Sequence, residues 1–348
     1  MSRRDFLVGM GASGAMIGAF PQTIMQPLAS QAIKPISGSW FEFQHLPALE
    51  GVDWNPMCAR FTCEQWDAKI KEMADIGIEY LVLMSTALYN RAFFHSKTFP
   101  EWRMECPEPM EAVLSAADRY GVKFFIGAGF YGDPDSAKIF ADAEAEKTRL
   151  RAMEEIAGLY GHHRSFHGWY WPNEAFIDRH FSEEFIHYVN ASSRQARQLT
   201  PRARTLIAPY GTRVVVPDDT FVRQLESLDV DIIAYQDEVG VRKSAVEETS
   251  AFFEGLRKAH DRARRSAIWA DVEVFRVEGV VYKSALLPGP FDRIVRQLEA
   301  VSPWVDEILV YQYQGMMNRP GSRAFCGSPE SAELYTEYEN WLRKRAPR

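Results

Sequence analysis

Short runs rich in branched and aromatic residues alternate with longer amphipathic stretches from Ser37 to the end of the chain. The runs Ser37–Phe43, Glu79–Ser85, Lys123–Ala128, Gly168–Trp171, Thr205–Ala208, Asp231–Tyr235, Ala267–Val272 and Glu307–Tyr313 predict eight strands. Between them, helical spacing covers Cys63–Asp75, Pro107–Tyr120, Pro134–Tyr160, Ser182–Gln198, Asp218–Leu225, Ser244–Ala263, Pro290–Val301 and Pro329–Lys344. Pro134-Asp135-Ser136 and Ser182-Glu183-Glu184 read as helix starts, and Gly77 and Gly121 as stops. Strands that alternate with helices must run parallel, because each helix carries the chain back across a face. At about 40 residues per unit, eight units suit a closed (β/α)8 barrel better than a doubly wound open sheet. The fold class expected is α/β, a single TIM barrel over residues 33–348.

The first 32 residues follow a different pattern. Ser2-Arg3-Arg4 with Phe6 and Leu7 opens a mildly apolar stretch to Phe20, and small residues surround Ala29-Ser30-Gln31-Ala32. Such a stretch is too short to span a bilayer but fits a cleavable twin-arginine export signal over 1–32. The expected destination is the periplasm or the exterior, with no membrane contact after signal removal. The net charge of -7 offers no positive field to a nucleic acid, which is excluded as a partner.

An exported chain with four cysteines points to disulfides. Strand one neighbours strands two and eight in a closed barrel. Cys326 is therefore expected to pair with Cys58 or Cys63, and Cys106 with the other. Gly127, Gly129 and Gly132 match a dinucleotide fingerprint, but the acid expected about 20 residues on falls within a helical stretch. The histidines have no H-x-H or H-E-x-x-H spacing, and His162, His163 and His167 flank the start of the fourth strand. No cofactor and no metal site are expected.

Acids gather instead at the ends of three strands. Asn173 and Glu174 follow the fourth, Gln236, Asp237 and Glu238 the sixth, and Glu273 ends the seventh. On the seventh, Ile268, Ala270, Val272 and Val274 share one parity and suit the helix side. Trp269, Asp271 and Glu273 share the other and point toward the lumen. A carboxylate at a barrel mouth is partly desolvated, which makes its pKa easy to shift. Trp40, Trp171, Tyr210, Tyr235 and Tyr311 also fall near strand ends, with Gln236 and Gln312 beside them. Flat apolar rings beside amides and carboxylates suit a carbohydrate substrate. Asn173, Trp171, Tyr210, Tyr235, Gln236, Asp271, Tyr311 and Trp40 are the expected sugar contacts.

At these residues the chain resembles the clan-A retaining glycoside hydrolases. The segments G-W-Y-W-P-N-E, I-A-P-Y-G, D-I-I-A-Y-Q-D-E-V-G and W-A-D-V-E-V-F look more closely like a bacterial barrel family of unknown function. That family is related to glycoside hydrolases, and the resemblance covers Ser37 to Gln314. It implies Glu174 as acid/base and Glu273 as nucleophile. Asp237 remains the rival, as the base of an inverting reaction if it faces Glu174 at a wider spacing. The functional expectation is a glycoside hydrolase acting on an oligo- or polysaccharide. The competitors are a divalent-metal sugar isomerase, epimerase or lyase using Glu174, Asp237, Asp271 and Glu273, and a non-catalytic glycan-binding barrel.

Overall fold

The computed structural model describes residues 32–132 and 139–345. The export signal, apart from Ala32, and the helix start expected at Pro134-Asp135-Ser136 lie outside the described residues. The eight expected strands form: β1 Gly38–Phe41, β2 Tyr80–Leu83, β3 Lys123–Gly127, β4 Phe166–Tyr170, β5 Arg204–Ile207, β6 Ile232–Gln236, β7 Ala267–Glu273 and β8 Glu307–Tyr311. All pair in parallel in chain order, and β1 closes on β8 through Gly38 opposite Leu309 and Ser39 opposite Val310. The sheet is a closed barrel.

Helices α1 Cys63–Asp75, α2 Pro109–Tyr120, α3 Ala143–Tyr160, α4 Glu183–Leu199, α5 Asp219–Ser227, α6 Val246–Ala263, α7 Phe291–Val301 and α8 Glu330–Arg345 follow the strands in turn. Local chemistry sets several of their ends. Thr62 and Gln65 form a reciprocal capping box on α1, and Ser182 accepts from the Phe185 N–H to start α4. Asp142 caps α3, which begins later than the periodicity suggested. Gly121 ends α2 at φ 75°, a conformation that other residues adopt only with strain.

Strand parity divides the core in two. Trp40, Val82, Phe125, Tyr170, Leu206, Ile232, Ala234, Trp269 and Leu309 fill the barrel interior. Residues of the opposite parity, such as Phe41, Phe124, Trp169, Ile233, Ile268 and Val310, pack outward against the helices. Two small hairpins, Ala87–Leu88 with Arg91–Ala92 and Phe275–Val277 with Leu286–Pro288, extend the carboxyl-terminal face after β2 and β7. A disulfide joins Cys63 to Cys106, which ties the segments after β1 and β2 together. That is one of the expected pairings. Cys58 and Cys326 are buried thiols that neighbour each other without a bond. Among the described residues, no helix is long and apolar enough to cross a membrane.

Candidate active site

Strand ends and the loops beyond them enclose a cavity of about 810 Å3, within the range of about 300–1,000 Å3 common for small-molecule sites. The β7 alternation holds: Trp269 lies inside the barrel, and Asp271 and Glu273 rise above it into the cavity wall. Glu174 enters from the end of β4. Its Oε1 accepts from the Tyr170 hydroxyl at 3.0 Å, and its Oε2 from Gln236 Nε2 at 2.9 Å. Burial pushes this carboxyl up to about 7, against the opposing pull of Gln236, Tyr170 and Lys243. One edge of Glu174 stays open to the cavity.

Glu273 is enclosed more tightly, and its Oε2 accepts from the Val241 N–H at 2.8 Å. Burial and then the charge of Asp237 drive it well above the usual carboxylate range. Asp237 itself sits behind the wall. Its Oδ1 accepts from the N–H groups of Glu273 and Val239 at 3.1 and 3.2 Å, and its Oδ2 from Gln297 of α7 at 2.7 Å. Burial raises its pKa too. Three donors and the nearby Arg293 nevertheless equip Asp237 to hold the charge of the pair, so Glu273 takes the proton first.

Two further acids complete this wall. Asp271 Oδ1 has no hydrogen-bond partner, and burial drives the group far upward. Glu238 Oε2 accepts from the Gly211 N–H at 3.0 Å, and the Lys243 ammonium lies 3.8 Å from its Oε1. That ammonium also sits 5.2 and 5.5 Å from the ring centres of Tyr210 and Tyr282.

The structure therefore brings Glu174, Glu273, Gln236, Asp271, Tyr210 and Tyr311 to one cavity. Five expected site residues stand elsewhere. Trp171 has the outward parity of β4, and its indole N–H donates to Ser193 of α4. Asn173 turns the same way, with its backbone N–H on the Tyr188 hydroxyl of α4. Tyr235 and Asp237 share the outward parity of β6. Tyr235 donates to His260 of α6, whose Nδ1–H is taken by the Ser266 carbonyl. Trp40 points inward but lies lower, edge-on to Tyr170 at 4.7 Å, as part of the barrel filling.

Several residues in or beneath the cavity were not among the expected site residues. Tyr170, beneath it, shares the inward parity of Gly168, and Glu42 that of Trp40, so strand alternation could have found both. His45 and Glu50 lie beyond the end of β1, where alternation gives no guidance. His45 sits with Nδ1 2.9 Å from Glu42 Oε1 and Nε2 3.1 Å from Glu50 Oε2. Burial works against a charged ring, but the two carboxylates outweigh it and push His45 up to about 9. Away from this cavity, Glu111, His162 and His163 cluster outside the barrel, where His163 bridges Glu111 and Asp118.

A closed (β/α)8 barrel with an acidic, aromatic-edged cavity at the carboxyl ends of its strands is a TIM barrel with a candidate site on the face where this fold carries its chemistry. The chain belongs to the family described as Domain of unknown function (DUF4434), whose model matches residues 36–324. No curated protein matches it. Among solved structures it is similar to a candidate alpha-L-fucosidase from Bacteroides thetaiotaomicron, at 19% identity and TM-score 0.69, over 93% of this chain and 99% of that one. The endo-beta-1,4-mannanase of Thermotoga petrophila aligns at 11% identity and TM-score 0.60, covering 90% and 78%. A GH5 protein from Streptomyces cattleya, solved with Manb1-4GlcNAc, aligns at 14% and 0.56, covering 90% and 82%. At these identities the likeness is one of fold.

Proposed function

We propose that the protein is a glycoside hydrolase acting on an oligo- or polysaccharide, with Glu174 and Glu273 as its reacting carboxyl groups. The observation that carries this reading is the pair itself: two carboxyl groups, from β4 and β7, that line one cavity, with Glu174 pushed up to about 7. A group poised there arrives protonated near neutrality and can serve as general acid. The reaction is a double displacement. Glu273 attacks the anomeric carbon while Glu174 gives its proton to the departing oxygen, which leaves a glycosyl ester on Glu273. Glu174 then takes a proton from water, whose oxygen displaces Glu273.

Asp237 acts through Glu273 rather than on substrate, because its side chain is spent on the backbone of Glu273 and on Gln297. The test is a screen of aryl glycosides and mixed glycans, with and without chelator. Turnover that survives chelation, is lost in Glu273→Gln and in Glu174→Gln is restored by azide for good leaving groups supports the proposal. Full activity in Glu273→Gln refutes the nucleophile, and loss on chelation favours the metal-dependent alternative. Binding without turnover favours the glycan-binding one.

A further inference from the structure

The cavity carries a second polar cluster that the proposed carboxyl chemistry leaves unused. Glu42, His45 and Glu50 follow β1 and line the wall near Tyr311. The His45 ring stands between the two acids, and both of its nitrogens face carboxylate oxygens at 2.9 and 3.1 Å. Only the doubly protonated ring can donate to both. Gln312 Nε2 donates to the same Glu42 oxygen at 2.6 Å, and the Tyr311 hydroxyl lies 2.9 Å from His45 Nδ1. Tyr311 sits opposite Glu273 in the β7–β8 register, so this cluster abuts the proposed nucleophile.

Each acid spends one oxygen on the imidazolium. Glu42 Oε2 and Glu50 Oε1 accept no hydrogen bond among the described residues, although the side chains are only 4 and 8% exposed. Behind them, Gln312 Oε1 is buried without a partner, and Gln312 does not line the cavity. A cluster that only tied β1 to β8 would turn these acceptors onto donors of the chain rather than leave them at the cavity surface. Here two carboxylate oxygens of the cavity wall stay open, with the His45 ring behind them. They can accept hydrogen bonds from donors that enter the cavity from outside the chain.

We propose that Glu42 and Glu50, oriented by His45, form a subsite that accepts hydrogen bonds from hydroxyls of a neutral sugar ring bound next to Glu273. The inference rests on the carbohydrate reading of the cavity but not on hydrolysis. Two carboxylates against one imidazolium leave the cluster negative, so it rejects a uronic acid ring and accepts a neutral one.

The test is calorimetric titration of the Glu273→Gln protein, which holds sugar without turnover. Its probes are the methyl glycosides of glucose, mannose, galactose, fucose, xylose and galacturonic acid. At least one neutral glycoside binds, and galacturonate binds at least tenfold more weakly, or about the loss of one hydrogen bond to a charged group. Adding Glu50→Gln weakens the neutral sugar about tenfold or more. Monodeoxy analogues locate the hydroxyls whose removal matters in Glu273→Gln and matters little once Glu50→Gln is present. Glu50 makes a single side-chain hydrogen bond, so this variant should fold, and a thermal melt checks it. If it does not fold, the deoxy scan on Glu273→Gln alone decides, because the proposal requires that removal of individual hydroxyls of the neutral ring weaken binding. Equal binding by folded Glu50→Gln and Glu42→Gln, or preference for galacturonate, overturns the subsite. Sugar binding with no glycoside turned over by the unaltered chain refutes the hydrolase reading and leaves the subsite standing. No binding by any glycoside overturns both.

Discussion

Glu174 and Glu273 are the same residue type at equivalent strand ends, yet their neighbours give them different work. Glu174 must be protonated to act as acid, so activity falls as pH rises through about 7. Glu273 must be ionised to attack, so activity falls as pH drops below its own raised value. Together the two requirements give a bell-shaped pH profile. The Tyr170 hydroxyl stabilises the ionised form of Glu174. Tyr170→Phe removes that donor, raises the Glu174 pKa and moves the alkaline limb of kcat/KM upward. Asp237 acts on the other limb. Asp237→Asn deletes the negative charge beside Glu273, lowers the Glu273 pKa and moves the acid limb downward. Profiles of the two variants over the same buffers check both shifts. Movement of the wrong limb would reassign the roles.

At the level of elements, the loop from Asp237 to Lys243 determines how Glu273 is presented. It places the Val241 N–H on the carboxylate and Lys243 at the cavity edge. To do so it passes so close over β7 that a Cβ at Gly240 would stand 2.9 Å from Glu273 Cβ and from the Phe275 carbonyl oxygen. Neither neighbour is the far end of a flexible side chain. Gly240→Ala should therefore displace Glu273 and lower kcat/KM by about tenfold to a hundredfold, while overpacking costs about 1–3 kcal/mol of stability. Steady-state kinetics beside a urea melt separate the two effects. Unchanged kinetics would mean that the loop yields without disturbing the acid.

For the molecule as a whole, the buried ionisable groups make stability depend on pH in a definite direction. Glu174, Glu238, Asp271 and Glu273 hold protons in the folded state that they release near pH 4 when unfolded. Their contribution therefore declines as pH rises through that window. His45 adds a decline of the same sign between its unfolded value near 6.5 and its folded value of about 9. His167 and His260, lowered to about 4, oppose this only below about 6.5, where their unfolded forms titrate. Melting temperature should thus fall from about pH 6.5 to 9, and His45→Gln should flatten that slope. A slope unchanged in the variant would mean that the ring is not charged in the fold. For the intact chain we also propose twin-arginine export: replacing Arg3 and Arg4 with Lys should leave unprocessed protein in the cytoplasm, as fractionation and mass measurement would show. Mature protein still outside would refute that route.

Local physics made much of this chain legible beforehand. Alternation along β7 alone sends Trp269, Asp271 and Glu273 inward, and Ser182 with Phe185 starts α4 through a contact three residues long. Such rules act over a few residues, and they yielded eight strands, eight helices and the placement of Glu174 and Glu273 at strand ends. They also exposed their own limit at Trp171, Tyr235 and Asp237. All three sit at strand ends near the acids in sequence, and parity turns all three toward the helices. The rest was decided by assembly of the barrel. Pairing of β4 and β6 with β5 sets Gln236 against Glu174 across 62 residues, and closure of β8 on β1 sets Gln312 against Glu42 across 270. The pKa of Glu174 and the charge of His45 follow from those meetings, because desolvation and neighbouring charge belong to the assembled cavity and not to any segment that lines it.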